Sequence, residues 1–160
     1  MVIRPARPGD RDALWRILEP TIRAGETYAL PRDMSEQDAI AYWTAPGHET
    51  FVAEEDGQVL GTYYLHPNQR GGGAHVANCG YMTAQNATGR GVARRMCEDS
   101  LQRARDRGFR AMQFNFVVST NEHAVRLWHG LGFETAGRLP LAFLHPRHGY
   151  TDALVMIRAL

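Results

Sequence analysis

Two glycines lie one residue apart in the segment 86–96, NATGRGVARRM, where a strand-like run ends and a helix-like run begins. A helix N-terminus presents unpaired N–H groups and the positive end of the helix dipole, so it can bind a phosphate group without a lysine. The chain has no lysine at all. Gly89 and Gly91 would let the backbone approach such an anion, Ala93 adds little bulk, and Arg94 and Arg95 add charge at the rim. The pattern indicates an anion site, although it is also typical of a plain tight turn.

The spacing argues against two other phosphate-binding motifs. A P-loop would place Lys-Ser or Lys-Thr after the second glycine, where this sequence has Val92 and Ala93. A dinucleotide-binding turn would follow the first strand and would have an acidic residue about 20 positions later. Here four strand-like runs precede the turn, and Arg110 and Ala111 stand at that distance.

Two asparagines interrupt strand-like runs that are otherwise mostly apolar: Asn78 in HVANCGYMT and Asn115 in QFNFVV. A buried amide costs on the order of 1–3 kcal/mol unless it is hydrogen-bonded. Each side chain therefore either satisfies an irregular stretch of backbone or faces a ligand, and both interpretations stay open at this point.

The composition predicts one domain over residues 1–160. With 18 arginines against 17 acidic residues and a net charge of +1, the chain offers no broad cationic surface for nucleic acid or an anionic membrane. Cys79 and Cys97 lack metal-ligand spacing and are predicted to be buried thiols. No segment reads as a signal peptide or a membrane span. We therefore expect a cytoplasmic protein with no metal site.

Hydrophobic periodicity predicts the element order β-α-α-β-β-β-α-β-α-β-β, an α/β (α+β) domain with a mixed, mostly antiparallel sheet flanked by about four helices. Asp10 and Ser35 are predicted to cap the first two helices, and Asp56-Gly57 predicts a tight hairpin turn. The run 110–118, RAMQFNFVV, contains few polar residues and is predicted to be buried on both faces.

Two segments, TGRGVA at 88–93 and NEHAVRLWHGLGF at 121–133, resemble the signatures of the GNAT family, the GCN5-related N-acetyltransferases. Residues 88–93, TGRGVA, resemble the family's Gln/Arg-x-x-Gly-x-Gly/Ala pyrophosphate loop. Residues 121–133, NEHAVRLWHGLGF, resemble its N-x-x-A-x-x-L-Y-x-x-x-G-F signature. Both lie at the family's spacing, and the predicted element order covers essentially the whole chain. The resemblance implies a sheet splayed at its centre, acetyl-CoA as co-substrate and pairing into a homodimer through the late strands.

The resemblance also implies where coenzyme A binds. Backbone N–H groups near Tyr81 and Met82, where family sheets splay apart, would hold the pantetheine arm and polarise the thioester carbonyl. The residues implied for the cofactor are Tyr81, Met82, Thr83, Thr88, Gly89, Arg90, Gly91, Val92, Ala93, Arg94, Asn121, Ala124 and Trp128.

A subfamily resemblance concerns the acceptor. The segments Asn78-Cys79-Gly80 and Phe114-Asn115, followed by Thr120-Asn121, look similar to fungal acetyltransferases that act on proline analogues. This implies that Asn78 and Asn115 hold the acceptor or polarise the reacting atoms. The proton of an ammonium acceptor would pass to Glu26, His75 or His66, or to a water held by the two amides.

Two further side chains are candidates for the acceptor pocket. Tyr28 either lines the pocket or fills the core, and the same alternatives apply to Tyr42, Trp43, Tyr63 and Tyr64. His145 either helps to close the pocket or belongs to a surface loop.

Two departures from the family pattern affect the chemistry. Thr88 replaces the usual Gln or Arg, which matters little if the contacts are backbone N–H groups. Trp128 replaces the tyrosine that protonates the departing thiolate in many members, and an indole is not a useful acid near neutral pH. We expect Trp128 to be core. Cys79 on an apolar strand is expected to be inert, because burial raises a thiol pKa.

These observations predict an N-acetyltransferase that acts on a small amine, amino acid or amino-acid-like toxin by direct transfer in a ternary complex. One alternative is a non-catalytic acyl-CoA sensor, which would keep the glycine turn but need no acceptor pocket. A nicotinamide-dependent oxidoreductase is the other.

Overall fold

The computed structural model describes all 160 residues. Its helices and strands follow the predicted order, which is confirmed. The bounds are β1 Val2–Pro5, α1 Arg11–Ala24, α2 Glu36–Trp43, β2 Glu49–Glu55, β3 Gln58–Pro67, β4 Val76–Thr83, α3 Val92–Asp106, β5 Ala111–Val118, α4 Glu122–Gly130, β6 Glu134–His145 and β7 Gly149–Ala159. No helix combines the length and the apolar character that crossing a membrane requires.

The strands form one seven-stranded sheet in the order β1-β2-β3-β4-β5-β7-β6. Every neighbouring pair is antiparallel except β4 and β5, which run parallel. These two strands pair only at Val76–Ala111 and Ala77–Met112, and they separate beyond that point. The predicted splay at the centre of the sheet is therefore confirmed, and it leaves a wedge between β4 and β5.

Local signals explain most element boundaries. Ser35 accepts a hydrogen bond from the Asp38 N–H and caps α2 as predicted. Asp56 and Gly57 both have positive φ, 51° and 76°, as a tight hairpin turn requires. Asp10 does not cap α1. Its carboxylate instead accepts from the Arg7 N–H and from the Arg4 guanidinium, so it stabilises the turn before the helix.

Helices pack on both faces of the sheet. The larger core lies under α3 and α4, and the smaller one packs α1 and α2 against β2, β3 and β4. The prediction that β5 is buried on both faces is wrong. Met112 and Phe114 are buried, but Gln113 is only partly buried and Asn115 is exposed. The smaller core contains no residue of β5, because α1 and α2 cover the β4 side of the wedge.

Candidate active site

The backbone edge of β4 faces the wedge at alternate residues. The bonds from Ala84 N–H to the Leu60 carbonyl and from Asn68 N–H to the Val76 carbonyl set the hydrogen-bonded pairs between β3 and β4. Even-numbered residues of β4 therefore pair with β3, and the N–H and C=O groups of odd-numbered residues point towards β5. Tyr81 and Thr83 thus present their backbone to the wedge. The Met82 N–H, which was expected there, faces β3 instead.

A cavity of about 510 Å³ extends along this wedge. It runs from the loop between α1 and α2, past the exposed edge of β4, to the start of α3 and one face of α4. Eight of the residues that the sequence assigns to the cofactor line it: Tyr81, Met82, Thr83, Thr88, Ala93, Asn121, Ala124 and Trp128.

The glycine turn lies beside the α3 end of the cavity, whose wall includes Thr88 and Ala93 but not the other residues predicted there for the cofactor: Gly89, Arg90, Gly91, Val92 and Arg94. Gly89 and Gly91 have φ of 80° and 76°, and a Cβ on either would meet no atom within 4 Å. Their conformation therefore requires glycine, whereas their packing does not. The backbone N–H groups of Gly89, Gly91, Val92, Ala93 and Arg94 have no acceptor in the chain. The turn thus presents a cluster of unpaired donors, which is suited to an anion.

The side chains around this turn are held elsewhere. Arg90 pairs with Glu55, and Arg94 lies 3.8 Å from Glu98 on the next turn of α3. The Val92 side chain is buried in the larger core, so only its backbone is available to a ligand. The turn therefore offers an anion unpaired N–H groups rather than free side-chain charge.

Asn78 and Asn115 both line the cavity, and both are hydrogen-bonded. The Asn78 amide nitrogen donates to the Gln113 carbonyl at 2.8 Å, and its oxygen accepts from His66 Nε2 at 3.0 Å. The Asn115 nitrogen donates to Asn68 Oδ1 at 2.7 Å, and its oxygen accepts from Gln113 Nε2 at 2.9 Å. The two interpretations of these amides therefore coexist: each satisfies local structure, and each nitrogen keeps a second hydrogen.

The side chain of Tyr28 reaches the exposed edge of β4. Its hydroxyl donates to the Tyr81 carbonyl and accepts from the Tyr81 N–H, each at 2.8 Å. Burial raises the pKa of this phenol, so it stays protonated across the physiological range. The contact spans 53 positions of sequence, and no local pattern announces it.

A family model described as Acetyltransferase (GNAT) family matches residues 12–133. This chain belongs to the GNAT family. The acetyltransferase is similar to N-acetyltransferase aca1 of Schizosaccharomyces pombe, with 28% identity over 151 residues that cover 84% of this chain and 72% of aca1.

Two solved structures are similar over nearly the whole chain. A GCN5-related N-acetyltransferase from Kribbella flavida is 44% identical, with a TM-score of 0.94, and the match covers 99% of this chain and 97% of that one. A GNAT superfamily phosphinothricin acetyltransferase from Sinorhizobium meliloti, in complex with acetyl-CoA, is 21% identical. Its TM-score is 0.86, with 99% and 88% of the two chains covered. The chain is an acetyl-CoA-dependent N-acetyltransferase, with acetyl-CoA as its co-substrate.

Four of the residues predicted for the acceptor side of the acetyltransferase lie outside the cavity wall: Glu26, His66, His75 and His145. The Glu26 carboxylate pairs with Arg147 at 3.1 Å. His145 is buried at the end of β6, where its Nδ1 accepts from the N–H groups of Arg147 and His148 at 3.1 and 3.2 Å. The Glu26–Arg147 pair therefore joins the β6–β7 turn to the α1–α2 loop, which itself lines the cavity, whereas the bonds of His145 stay within the turn.

Trp128 and Cys79 have the settings expected of them. The indole packs against Tyr81 and Phe114, with ring centroids 5.2 and 5.1 Å away, while one edge meets the cavity. Burial raises the pKa of the Cys79 thiol strongly, and that of Cys97 to about 12. A thiol with so high a pKa is a poor nucleophile near neutral pH.

Sequence reasoning assigned two aromatic side chains of the cavity only as alternatives. Tyr42 and Tyr64 line its acceptor end, with their hydroxyls 3.4 Å apart. Thr21 and Leu30 also reach it and carried no signal in the sequence, since each lies in an ordinary helical or loop segment. No aspartate, glutamate or arginine lines the cavity.

Proposed function

We propose that this enzyme acetylates the amino group of a small molecule, an amino acid or amino-acid-like toxin, by direct transfer in a ternary complex. One observation carries the proposal: a single cavity runs from Thr88 and Ala93, which flank the unpaired N–H groups of the glycine turn, to the amides of Asn78 and Asn115. A cofactor bound at one end and an acceptor at the other would meet in the wedge.

The backbone suggests how acetyl-CoA lies in that cavity. The diphosphate would accept hydrogen bonds from the N–H groups of Gly89, Gly91 and their neighbours. The pantetheine arm would then follow the exposed edge of β4, pairing with Thr83. The thioester carbonyl oxygen would reach the N–H of Tyr81, which is well placed to stabilise negative charge on that oxygen as the amine attacks.

The acceptor end favours a small substrate without several positive charges. Its polar groups include the amides of Asn78 and Asn115 and the hydroxyls of Thr27, Tyr42 and Tyr64, all of them neutral. The cavity offers no carboxylate to pair with a polyamine or a lysine-rich tail. A protein of the same fold, at 21% identity, is a phosphinothricin acetyltransferase, and phosphinothricin is an amino-acid-like acceptor of the kind proposed here.

The chemistry needs no covalent enzyme intermediate. The neutral amine forms a C–N bond to the thioester carbon, the oxygen becomes negatively charged, and collapse breaks the C–S bond. One proton leaves the nitrogen through a water held between Asn78 and Asn115, and one proton ends on the sulfur of coenzyme A. Trp128 contributes no proton to this step.

A thiol-release assay over a panel of amines tests the proposal. The panel holds proline analogues, phosphinothricin-like amino acids, polyamines and histone-tail peptides. We expect turnover with one or more of the small amino acids. Activity confined to peptides would contradict the small-molecule assignment.

We also propose that the enzyme forms a homodimer through β6. This strand lies at one edge of the sheet and exposes three leucines, Leu139, Leu141 and Leu144, beside the exposed Tyr150 of β7. A long apolar edge strand favours pairing with a second chain. Leu144→Glu should shift sedimentation towards the monomer, whereas Val2→Glu, at the exposed apolar position on the opposite edge strand, should not. A wild-type enzyme that sediments as a monomer would rule the dimer out.

A further inference from the structure

The Tyr28 hydroxyl is hydrogen-bonded to the backbone of Tyr81, whose N–H would receive the thioester carbonyl of the cofactor in the proposed function. It saturates both the N–H and the C=O of Tyr81, at 2.8 Å each. These two groups face the wedge because Tyr81 is an odd-numbered residue of β4. The side chain thus takes the place that a neighbouring strand, or an extended ligand, would take beside β4.

The Tyr81 N–H cannot serve the Tyr28 hydroxyl and an acetyl oxygen equally well. A hydrogen bond is strongest when the acceptor lies on the N–H axis, and it weakens steeply as the angle falls. Tyr28 Oη is at an ideal distance from this donor. A carbonyl oxygen arriving from the cavity would therefore have to displace the hydroxyl or accept a poor geometry.

The segment that carries Tyr28 is suited to such a displacement. Residues 25–35, between α1 and α2, form no helix or strand, whereas Tyr81 lies within β4. The Tyr28 ring keeps a second contact, an edge-on packing against Trp43 with centroids 6.1 Å apart. The hydroxyl can thus leave Tyr81 while the α1–α2 loop stays attached to the smaller core.

We propose that the Tyr28 hydroxyl closes the acyl end of the cofactor channel in the free enzyme, and that acetyl-CoA binds by displacing it from Tyr81. This rests on the proposed function, in which the Tyr81 N–H receives the thioester carbonyl. Thr27, Ala29 and Leu30 flank Tyr28 and line the acceptor end of the cavity. Displacement of Tyr28 therefore reshapes the acceptor site.

Tyr28→Phe tests the proposal by calorimetric titration with acetyl-CoA. The variant removes a bond that exists only in the free enzyme, so its affinity for acetyl-CoA should rise roughly 2- to 10-fold. Tyr63→Phe is the matched control. It removes another tyrosine hydroxyl bond, to Asp99 at 2.5 Å, from a residue that does not line the cavity. Both variants should unfold at lower temperature, and only Tyr28→Phe should bind acetyl-CoA more tightly.

Unchanged or weaker binding by a folded Tyr28→Phe would overturn the closure. The amine panel separates this result from a failure of the proposed function. Unchanged affinity together with turnover of small amines would reject the closure and leave the function standing. Tighter binding without turnover of any small amine would support the closure and reject the acceptor assignment.

Discussion

The side-chain amide of Asn78 donates to the main-chain carbonyl of Gln113 at 2.8 Å, one residue past the last backbone pair between β4 and β5. At this point the strands separate, and the Gln113 carbonyl would otherwise lose its partner. A side chain therefore replaces a rung of the sheet. Asn78 makes the last hydrogen bond from β4 to the main chain of β5, and it is part of the wall of the cavity that the separation of the strands opens.

Asn78→Ala should lower both stability and activity. It leaves the Gln113 carbonyl and the His66 ring nitrogen without their partner, in a largely buried place. The free energy of unfolding should fall by about 1–3 kcal/mol, the usual cost of an unsatisfied buried group. Chemical denaturation measures this loss, and thiol release measures the accompanying loss of turnover.

Asn115→Ala is the comparison. Asn115 also lines the cavity, but it is exposed, and water can replace its bonds to Asn68 and Gln113. Its free energy of unfolding should change by no more than about 0.5 kcal/mol, as for most surface substitutions, while acetyl transfer falls. Equal destabilisation by the two variants would show that Asn78 does not hold the wedge.

Gly91→Ala should weaken acetyl-CoA binding as well as folding. Gly91 has φ of 76°, and a left-handed conformation costs a residue with a Cβ about 1–2 kcal/mol. Relief of that strain would turn the free N–H groups away from the anion. Calorimetry with acetyl-CoA and thermal unfolding report the two effects separately.

Gly47→Ala is a matched control for this prediction. Gly47 has φ of 88° and open space around it, as Gly91 has, but it lies in the loop before β2, far along the chain from the glycine turn. It should lose similar stability and keep its affinity for acetyl-CoA. If both variants bound acetyl-CoA as well as the wild type, the turn would not be the diphosphate site.

The features that sequence predicted well are local. The glycine turn, the Ser35 cap and the Asp56-Gly57 hairpin each depend on residues within a few positions, and so does the hydrophobic periodicity that gives the order of the elements. Glycine at positive φ is a property of one residue, and it is visible in the sequence for that reason.

The features that sequence placed poorly depend on distant partners. Glu26 pairs with Arg147 across 121 positions (147 − 26), and Tyr28 meets Tyr81 across 53, so neither contact leaves a periodic trace. The exposed face of β5 has the same origin. The sequence of β5 is mostly apolar and therefore predicts burial, but α1 and α2, which would have to cover this face, pack against β4 instead. Only the assembled wedge decides which polar groups face the cavity.

Cys79→Ala should keep acetyl transfer within a few-fold of the wild type. The thiol lines the cavity, but burial raises its pKa so far that little thiolate forms. Intact-mass analysis after incubation with acetyl-CoA, without an amine, should find no acetyl group on the protein. A stable acetyl group on Cys79 would contradict direct transfer and would indicate a two-step mechanism through an acetylated enzyme.

Acid should destabilise the enzyme through His145. Its Nδ1 accepts two backbone N–H bonds, and burial together with the neighbouring His148 lowers its pKa below the ordinary value of 6.5. The folded state therefore binds the proton less readily than the unfolded chain does. The stabilisation that the neutral His145 ring provides is therefore complete above pH 6.5, and it is lost as the pH falls below that value. Thermal unfolding between pH 7 and pH 5 measures the slope.

His145→Asn keeps the hydrogen bonds that hold the turn but removes the ring that takes up a proton. An asparagine oxygen can accept the same N–H groups of Arg147 and His148, because Asx turns bond to the backbone two and three residues on. It has no proton to gain in this range. The variant should fold like the wild type at pH 7 and lose less stability at pH 5. His75→Asn changes a histidine whose ring makes no hydrogen bond, so it should keep the wild-type slope. If His145→Asn kept that slope as well, the acid sensitivity would come from another group.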